Sequence, residues 1–335
     1  MVPYSSARSE FTGRDGIFLN ANENSFGSPL PKKYNRYPDP LQSELKRKIG
    51  SLKGIERQNI FLGNGSDEAI DLLFRCFCVP GKDSVIICPP TYGMYEVSAE
   101  INDVTVNKIP LTSEFQLNVD SMLNICDANT KLIFICSPNN PTGNTLDRKD
   151  ILSLVEQFNG VVVIDEAYRE YSRQQSFTGE LVEHNNIVVL QTFSKAWGLA
   201  GLRVGIAIAD ESIIEQLNKI KAPYNINAVS QELAISALDN TQEVKNWIAI
   251  TIAERKKLEI VLDQLPFVIR VYLSEANFVL VKVVNAERIY AYLLEENIIV
   301  RNRNTVTLCE GCLRITVGTP EENITLMATL KRYIS

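Results

Sequence analysis

Seven short apolar segments between residues 59 and 209 limit the possible folds of this chain more than any other feature. They lie at residues 59–62, 84–88, 104–109, 132–136, 161–164, 187–190 and 204–209. Several are apolar at almost every position, which is typical of strands buried on both faces of a mostly parallel sheet. Segments with a helical pattern alternate with them, at residues 67–78, 92–100, 148–158 and 212–220. This alternation predicts an α/β fold in which a mostly parallel seven-stranded sheet lies between helices.

The pattern changes on both sides of this region. Residues 1–40 are rich in Pro and Asn and hold no lasting period, so we expect an irregular amino-terminal arm. A chain of 335 residues exceeds the size at which single cores usually stop growing. We therefore expect a large domain at residues 41–226 and a smaller α+β domain at 227–335, with the arm packed against the small domain or a partner subunit. The small domain is expected to begin with a long helical stretch near 229–265, followed by strands near 267–273, 278–283, 298–301 and 313–316 and helices near 286–296 and 321–333.

Composition excludes several classes of function. The 34 Lys and Arg residues against 40 Asp and Glu residues give a net charge of -6, which does not favour binding to nucleic acid or to a membrane surface. The single histidine, His184, lies in a polar stretch and is interpreted as a surface residue. Because the only histidine is interpreted as a surface residue, we expect no Ser-His-Asp centre, no Cys-His centre and no multi-histidine metal site. We also expect no bound metal.

The seven cysteines point to a reducing compartment. Their number is odd, and most lie singly in apolar runs, as expected for buried, reduced thiols. Cys309 and Cys312 form a C-x-x-C pair, but no second pair supports a zinc site. No apolar run approaches the roughly 20 residues of a membrane span, and the amino terminus lacks a signal-peptide core. We expect a cytoplasmic protein.

Polar residues that follow the apolar segments are the candidates for chemistry. In parallel sheets, ligands bind at the carboxyl ends of the strands. The first segment is followed by Gly-Asn-Gly-Ser-Asp-Glu at 63–68, where Gly65, Ser66 and Asp67 open a helix whose free N–H groups suit a phosphate. Taken alone, this turn is better explained as a plain helix cap formed by Ser66 or Asp67.

Three further strand ends add to this candidate site. Asn140 lies in a rigid Pro- and Gly-containing turn, and Asp165 directly follows a run of three valines and one isoleucine. Lys195 follows another strand, with Thr192 and Ser194 before it and Arg203 eight residues on. A structural salt bridge would explain Lys195 or Asp165 singly, but it does not easily explain the whole set.

Pyridoxal 5′-phosphate (PLP) chemistry needs such a set. A lysine forms an imine with the cofactor aldehyde and later moves a proton at the substrate carbon. A carboxylate pairs with the pyridine nitrogen so that the ring withdraws electrons. Hydroxyl groups, N–H groups and an arginine hold the phosphate. The sequence offers a candidate for every one of these roles.

The order of the motifs resembles that of the fold-type-I aminotransferases, in Asn-Pro-Thr-Gly at 140–143, Asp-Glu-Ala-Tyr at 165–168, Ser-Lys at 194–195 and Gly-Leu-Arg at 201–203. The resemblance implies that Lys195 binds the cofactor aldehyde and that Asp165 pairs with the pyridinium. It further implies that Asn140 and Tyr168 hold the phenolic oxygen and that Tyr92 stacks on the ring. The implied phosphate ligands are Gly65, Ser66, Thr192, Ser194 and Arg203, with Asp67 beside them.

The resemblance narrows to the histidinol-phosphate branch of these aminotransferases, through segments 3–8, 19–24, 36–40, 63–68, 88–95, 136–143 and 312–320. It implies a homodimer with shared active sites, in which Tyr37 reaches the cofactor phosphate of the neighbouring subunit. The implied substrate-binding residues are Tyr4, Asn22, Glu23, Arg301 and Arg314. Two converging arginines can bind the oxygens of a phosphate in a bidentate manner. Arg303 is interpreted as a solvated strand end.

The expected reaction is transfer of an amino group between L-histidinol phosphate and 2-oxoglutarate, in histidine biosynthesis. An aromatic amino-acid aminotransferase or an O-phospho-amino-acid decarboxylase on the same scaffold remains open, because one arginine can serve a phosphate or a carboxylate. A cofactor-binding sensor of a transcription regulator would carry a basic DNA-binding module, for which this acidic chain has no room. A nicotinamide dehydrogenase would need G-x-G-x-x-G, and the segment at 63–68 stops at its second glycine.

Overall fold

The structure is a computed structural model that describes residues 16–333. Within this range the strands form two sheets, one with seven strands and one with four. Tyr4, predicted to lie near the substrate, is outside the described residues. None of the helices in the described range is long and apolar enough to span a membrane.

The larger sheet confirms the predicted α/β class. Its strands run in the order β1-β7-β6-β5-β4-β2-β3. Strands β2 to β6 pair in parallel, whereas β7 runs antiparallel to both β1 and β6. The strands are β1 (Ile60–Asn64), β2 (Ser84–Ile87), β3 (Thr105–Lys108), β4 (Thr130–Cys136), β5 (Val161–Asp165), β6 (Ile187–Thr192) and β7 (Val204–Ala209).

Both faces of this sheet are covered by helices. Alternate residues of a strand point to opposite faces, and β5 shows the effect, since Val162 and Ile164 join one buried cluster while Val161 and Val163 join another. The first cluster includes α1 (Ser43–Lys53), α4 (Val119–Ile125) and α5 (Arg148–Gln157). The second includes α2 (Ser66–Phe77), α3 (Met94–Ile101) and α6 (Glu211–Ile220). Of these six helices, four had been predicted from the sequence: α2, α3, α5 and α6.

The long helical stretch predicted near residues 229–265 consists of two helices in the structure. They are α7 (Ala228–Ala237) and α8 (Thr241–Asp263), separated by a 3₁₀ turn at Leu238–Asn240. Asp, Asn and Thr follow one another at this point, and their short polar side chains favour turns and helix ends over helix interiors.

The smaller sheet is antiparallel, in the order β10-β11-β9-β8. It packs on the second half of α8 and on two further helices, so the predicted α+β region has a core of its own. The elements are β8 (Val268–Val271), β9 (Phe278–Val283), α9 (Ala286–Glu295), β10 (Arg301–Asn302), β11 (Cys312–Thr316) and α10 (Pro320–Arg332). The domain boundary at 226–227 and the packing of the arm stay predictions.

Candidate active site

The carboxyl ends of β4, β5 and β6 meet the start of α2 around a cavity of about 130 Å³. This is the edge of a parallel sheet at which ligands are expected. Cys136, Ala167 and Ala200 also line the cavity, although the sequence did not single them out. The predicted residues that line it are Gly65, Ser66, Asp67, Tyr92, Asn140, Asp165, Tyr168, Thr192, Ser194, Lys195 and Arg203.

One end of the cavity is the start of α2. The cap position is Gly65, without a side-chain hydrogen bond, so the predicted cap by Ser66 or Asp67 was wrong. Gly65 has a positive φ of 77°, and its N–H donates to the Arg203 carbonyl at 2.7 Å. A Cβ on it would lie 2.5 Å from Arg203 Nη2. The uncapped N–H groups at the start of a helix suit an anion.

Gly205 on β7 makes this end possible, and the sequence did not point to it. A Cβ at this position would lie 2.1 Å from the backbone nitrogen of Ser66, closer than real Cβ contacts come. Only glycine therefore lets β7 approach the first turn of α2 so closely.

Polar side chains complete the same end. Arg203 Nη2 donates to Asp67 Oδ2 at 3.2 Å, and the Tyr92 hydroxyl donates to Asp67 Oδ1 at 3.0 Å. The hydroxyl oxygens of Thr192 and Ser194 lie 3.0 Å apart. Hydroxyl groups, backbone N–H groups and a guanidinium thus converge here, which are the donors that bind a phosphate.

Asp165 also lines the cavity and is only 3% exposed. Its carboxylate accepts from the Tyr95 hydroxyl at 2.7 Å and from the Ala167 N–H at 3.0 Å. Burial raises the pKa of Asp165 to about 6, while the two hydrogen bonds and the charge of Lys195 act in the opposite direction. A buried carboxylate of this kind is stabilised by a cation placed against it.

Tyr95 is a site residue that the sequence analysis missed. It is fully buried, stacks on Phe134 at 4.9 Å and meets Tyr92 edge-on at 5.6 Å. Its spacing of three residues from Tyr92, at the start of α3, was the one signal that could have identified it.

Lys195 extends into the cavity from the loop after β6. Its Nζ lies 5.7 Å from the centre of the Tyr168 ring, and it has no hydrogen bond within residues 16–333. Burial lowers the pKa of Lys195, and the charge of Arg314 lowers it further, against the opposing effect of Asp165. A lowered pKa increases the neutral amine, which is the nucleophilic form.

The small sheet reaches the cavity through Arg314 of β11. Its Nη1 donates to Asn140 Oδ1 at 2.5 Å, and its guanidinium lies 5.2 Å from the centre of the Phe278 ring. Asn140 Nδ2 in turn donates to the Tyr168 hydroxyl at 3.4 Å. Arg301 is paired directly opposite Arg314 and is exposed.

Arg303 differs from the expected solvated strand end. Its side chain is half-buried, and its Nε is buried without a hydrogen-bond partner among the described residues. The sequence alone did not indicate this burial, because the pairing of β10 with β11 depends on residues about ten positions away.

A family model described as "Aminotransferase class I and II" matches residues 19–330 of the chain. The chain belongs to this family. A curated relative from Cytophaga hutchinsonii named histidinol-phosphate aminotransferase is 50% identical over 331 residues, which cover 99% of this aminotransferase and 95% of the relative.

Two solved structures show the same fold. The histidinol-phosphate aminotransferase from Clostridium acetobutylicum matches with a TM-score of 0.83 at 25% identity, over 90% of this chain and 91% of that one. The histidinol-phosphate aminotransferase from Sinorhizobium meliloti, solved in complex with PLP, matches with a TM-score of 0.83 at 22% identity, over 94% of this chain and 90% of that one.

This aminotransferase is a PLP-dependent enzyme, and the residues of the cavity fit that cofactor. The buried carboxylate of Asp165 suits a protonated pyridine nitrogen, because burial raises its pKa and a cation beside it would stabilise its charged form. The donors around Gly65 and Arg203 suit the phosphate, and the amine of Lys195 suits the aldehyde.

The arm residues predicted for the site do not line the cavity. Tyr37 is 51% exposed and stacks on Tyr224 at 4.4 Å. The carboxylate of Glu23 accepts from Arg36 Nη1 and from the Tyr37 N–H, each at 2.7 Å. Asn22 is exposed with φ 55. Their roles toward substrate and partner subunit stay predictions.

Proposed function

We propose that this aminotransferase transfers an amino group between L-histidinol phosphate and 2-oxoglutarate, forming imidazole acetol phosphate and glutamate in histidine biosynthesis. The observation that carries the proposal is the pair of cross-strand arginines, Arg301 and Arg314, of which Arg314 is hydrogen-bonded to the cavity residue Asn140. A planar guanidinium binds phosphate oxygens in a bidentate manner. The 50% identity to a relative of that name supports the same substrate.

PLP, when bound, supplies a ring that accepts the electron pair released at the substrate carbon. Lys195 would have two roles: its amine would hold the cofactor aldehyde, and its free amine would move the proton at the substrate carbon. Its lowered pKa favours both, because a base works best when its pKa is near the operating pH. Asp165 holds the proton on the pyridine nitrogen, and Tyr95 keeps the Asp165 carboxylate in position.

The remaining residues orient the cofactor. Asn140 and Tyr168 donate to its phenolic oxygen, and their own contact at 3.4 Å supports a shared target. Tyr92 stacks on the ring, fixed by its hydrogen bond to Asp67. The residues that would hold the phosphate are Gly65, Ser66, Thr192, Ser194 and Arg203, which all line the cavity.

We further propose a homodimer with shared active sites, in which Tyr37 reaches the cofactor phosphate in the partner subunit. Its exposed position on the arm, away from the cavity of its own chain, supports this role. A twofold axis would place both Tyr37 side chains in equivalent positions. Asn22 and Glu23 would lie near the substrate through the same arrangement. A cytoplasmic location stays a prediction.

A substrate panel on the PLP-loaded enzyme tests the proposed function. We expect histidinol phosphate to give a higher kcat/KM than phenylalanine or O-phosphothreonine. Histidinol, which lacks only the phosphate, is the matched control and should be slower by about two orders of magnitude or more. The highest kcat/KM with phenylalanine, or release of carbon dioxide from O-phosphothreonine without amino transfer, would overturn the proposal.

A further inference from the structure

We propose that Arg303 is a third guanidinium at the substrate phosphate, and that it sets the preference of this enzyme for a dianionic phosphate over a monoanionic carboxylate. The proposal deepens the proposed function and rests on it. Three arginines, Arg301, Arg303 and Arg314, form what we call the arginine face of the small sheet.

Strand register puts the three side chains on one face. Arg301 is paired directly opposite Arg314, and directly opposite residues of an antiparallel pair share a face. The Arg303 N–H donates to the Cys312 carbonyl at 2.9 Å, so the pairing continues past the end of β10. Arg303 is two residues beyond Arg301 and therefore returns to the same face, diagonal to Arg314 at about 7–8 Å between Cα atoms.

The charges on this face have no acidic partner within residues 16–333. The side chains of Arg301 and Arg303 make no hydrogen bond or ion pair there, and Arg314 contacts a neutral amide, that of Asn140. The Nε atoms of Arg303 and Arg314 are both buried without an acceptor. Buried guanidinium groups are normally paired with an anion, since an unpaired one is costly.

The titratable groups around Arg303 do not supply the missing negative charge. The two that raise its pKa are the thiol of Cys309 and the hydroxyl of Tyr168. Burial raises the pKa of Cys309 to about 12 and that of Tyr168 well above its ordinary value, so both are neutral at pH 7. Burial, and then the charge of Arg301, lowers the pKa of Arg303. The guanidinium groups of the arginine face therefore repel one another.

A bound phosphate ester removes this repulsion better than a carboxylate does. It carries about 1.5–2 negative charges near pH 7 and has three acceptor oxygens. A carboxylate carries one charge and two oxygens, which one guanidinium can satisfy. Arg314 is joined through Asn140 to Tyr168, at the cavity, while Arg303 lies on the same face and influences the pKa of Arg314 and Tyr168. The third arginine thus adds affinity mainly for the phosphate substrate.

The test compares two substrates in Arg303→Gln, which removes the charge. We expect KM for histidinol phosphate to rise about tenfold to a hundredfold, as for loss of a hydrogen bond to a charged group. The kcat value and KM for 2-oxoglutarate should change little. Arg303→Lys should restore part of the affinity. Arg288→Gln, an exposed arginine of α9 in the same domain, is the matched control and should match the wild type.

A second measurement does not depend on turnover. Inorganic phosphate should raise the melting temperature of the PLP-loaded wild type and of Arg288→Gln, and this rise should be much smaller in Arg303→Gln. Equal increases of both KM values, or an unchanged phosphate effect, would overturn the role of Arg303. If Arg303→Gln does not fold, the same comparison with Arg303→Met, which also removes the charge and keeps an apolar side chain, decides.

The two proposals can fail separately. A preference for phenylalanine over histidinol phosphate in the wild type, with the phosphate effect still dependent on Arg303, would refute the substrate and keep the anion site. A preference for histidinol phosphate that Arg303→Gln leaves intact would refute the role of Arg303 alone.

Discussion

The cofactor cavity and the arginine face differ in whether their charged side chains have hydrogen-bond or ionic partners. In the cavity, Asp165 is hydrogen-bonded by Tyr95 and the Ala167 N–H, and Arg203 is paired with Asp67. On the arginine face, the described residues leave Arg301 and Arg303 without an acidic partner. The cavity is therefore organised before its ligand binds, whereas the arginine face keeps a repulsion that only a ligand relieves.

This difference fits the two kinds of ligand. A cofactor remains bound through many turnovers, so a rigid, hydrogen-bonded site stabilises it without repeated reorganisation. A substrate must enter and leave in each cycle, and two substrates must share one place. Unpaired guanidinium groups on a sheet edge bind either anion and release it again. The comparison predicts that changes in the cavity and on the arginine face have separable effects.

Lys195→Ala should have the largest effect. Because it removes both the covalent hold on PLP and the group that moves the proton, kcat should fall by at least about three orders of magnitude. With PLP at saturating concentration, inorganic phosphate should still raise the melting temperature, since the arginine face is intact. Steady-state kinetics and thermal unfolding check the two parts.

Two results with Lys195→Ala would contradict the separate roles of the cavity and the arginine face. Turnover within tenfold of the wild type would remove Lys195 from the chemistry. Loss of the phosphate effect in Lys195→Ala, together with its persistence in the Arg288→Gln control, would mean that the cavity and the arginine face act as one unit.

The cavity could be predicted from sequence because the residues that line it lie within a few positions of the ends of strands. Asp165 directly ends β5, and Lys195 comes three residues after β6. Local patterns specify the strands, and the parallel sheet then brings their ends together. The family resemblance supplied the roles that these local patterns could not.

What the sequence could not reveal depends on contacts between distant segments. Gly205 matters only because β7 lies antiparallel beside β1 and meets α2. The position of Arg303 beside Cys312 follows from the register between β10 and β11. Tyr95 is recognised only when its helix is placed against Asp165. The proposed role of Tyr37 depends on a second copy of the chain.

Gly205→Ala should have an intermediate effect, confined to the cavity. A methyl group 2.1 Å from the Ser66 nitrogen must push β7 and α2 apart, which should lower the free energy of unfolding by about 1–3 kcal/mol. The same shift moves the N–H groups at the start of α2 and should weaken PLP binding. Urea unfolding and a PLP titration measure these changes.

Gly201→Ala is the matched control, since nothing lies within 4 Å of a Cβ at that position. It should resemble the wild type in both measurements. Equal behaviour of Gly205→Ala and Gly201→Ala would show that the close approach of β7 to α2 is not needed for the cofactor.

Tyr95→Phe should have the smallest effect, visible in the pH dependence of stability. The pKa of Asp165 is about 6 in the folded, ligand-free protein and 3.8 ordinarily, so its contribution to stability is present below pH 3.8 and is lost as the pH rises through 6. Removal of the Tyr95 hydroxyl takes a donor from the charged carboxylate and should raise this pKa by about one further unit. The decline in the free energy of unfolding should then continue to higher pH.

Urea unfolding of the ligand-free protein between pH 4 and 8 measures this window, with Asp165→Asn as the control in which the decline attributed to Asp165 disappears. A midpoint that stays near pH 6 in Tyr95→Phe would mean that Tyr95 fills space without holding the carboxylate charged. Because burial is the main cause of the raised pKa, the cavity, too, keeps one unfavourable charge until its ligand binds. The contrast with the arginine face is then one of degree. The cavity has one buried carboxylate that accepts two hydrogen bonds, whereas on the arginine face the described residues give a side-chain hydrogen bond to Arg314 alone.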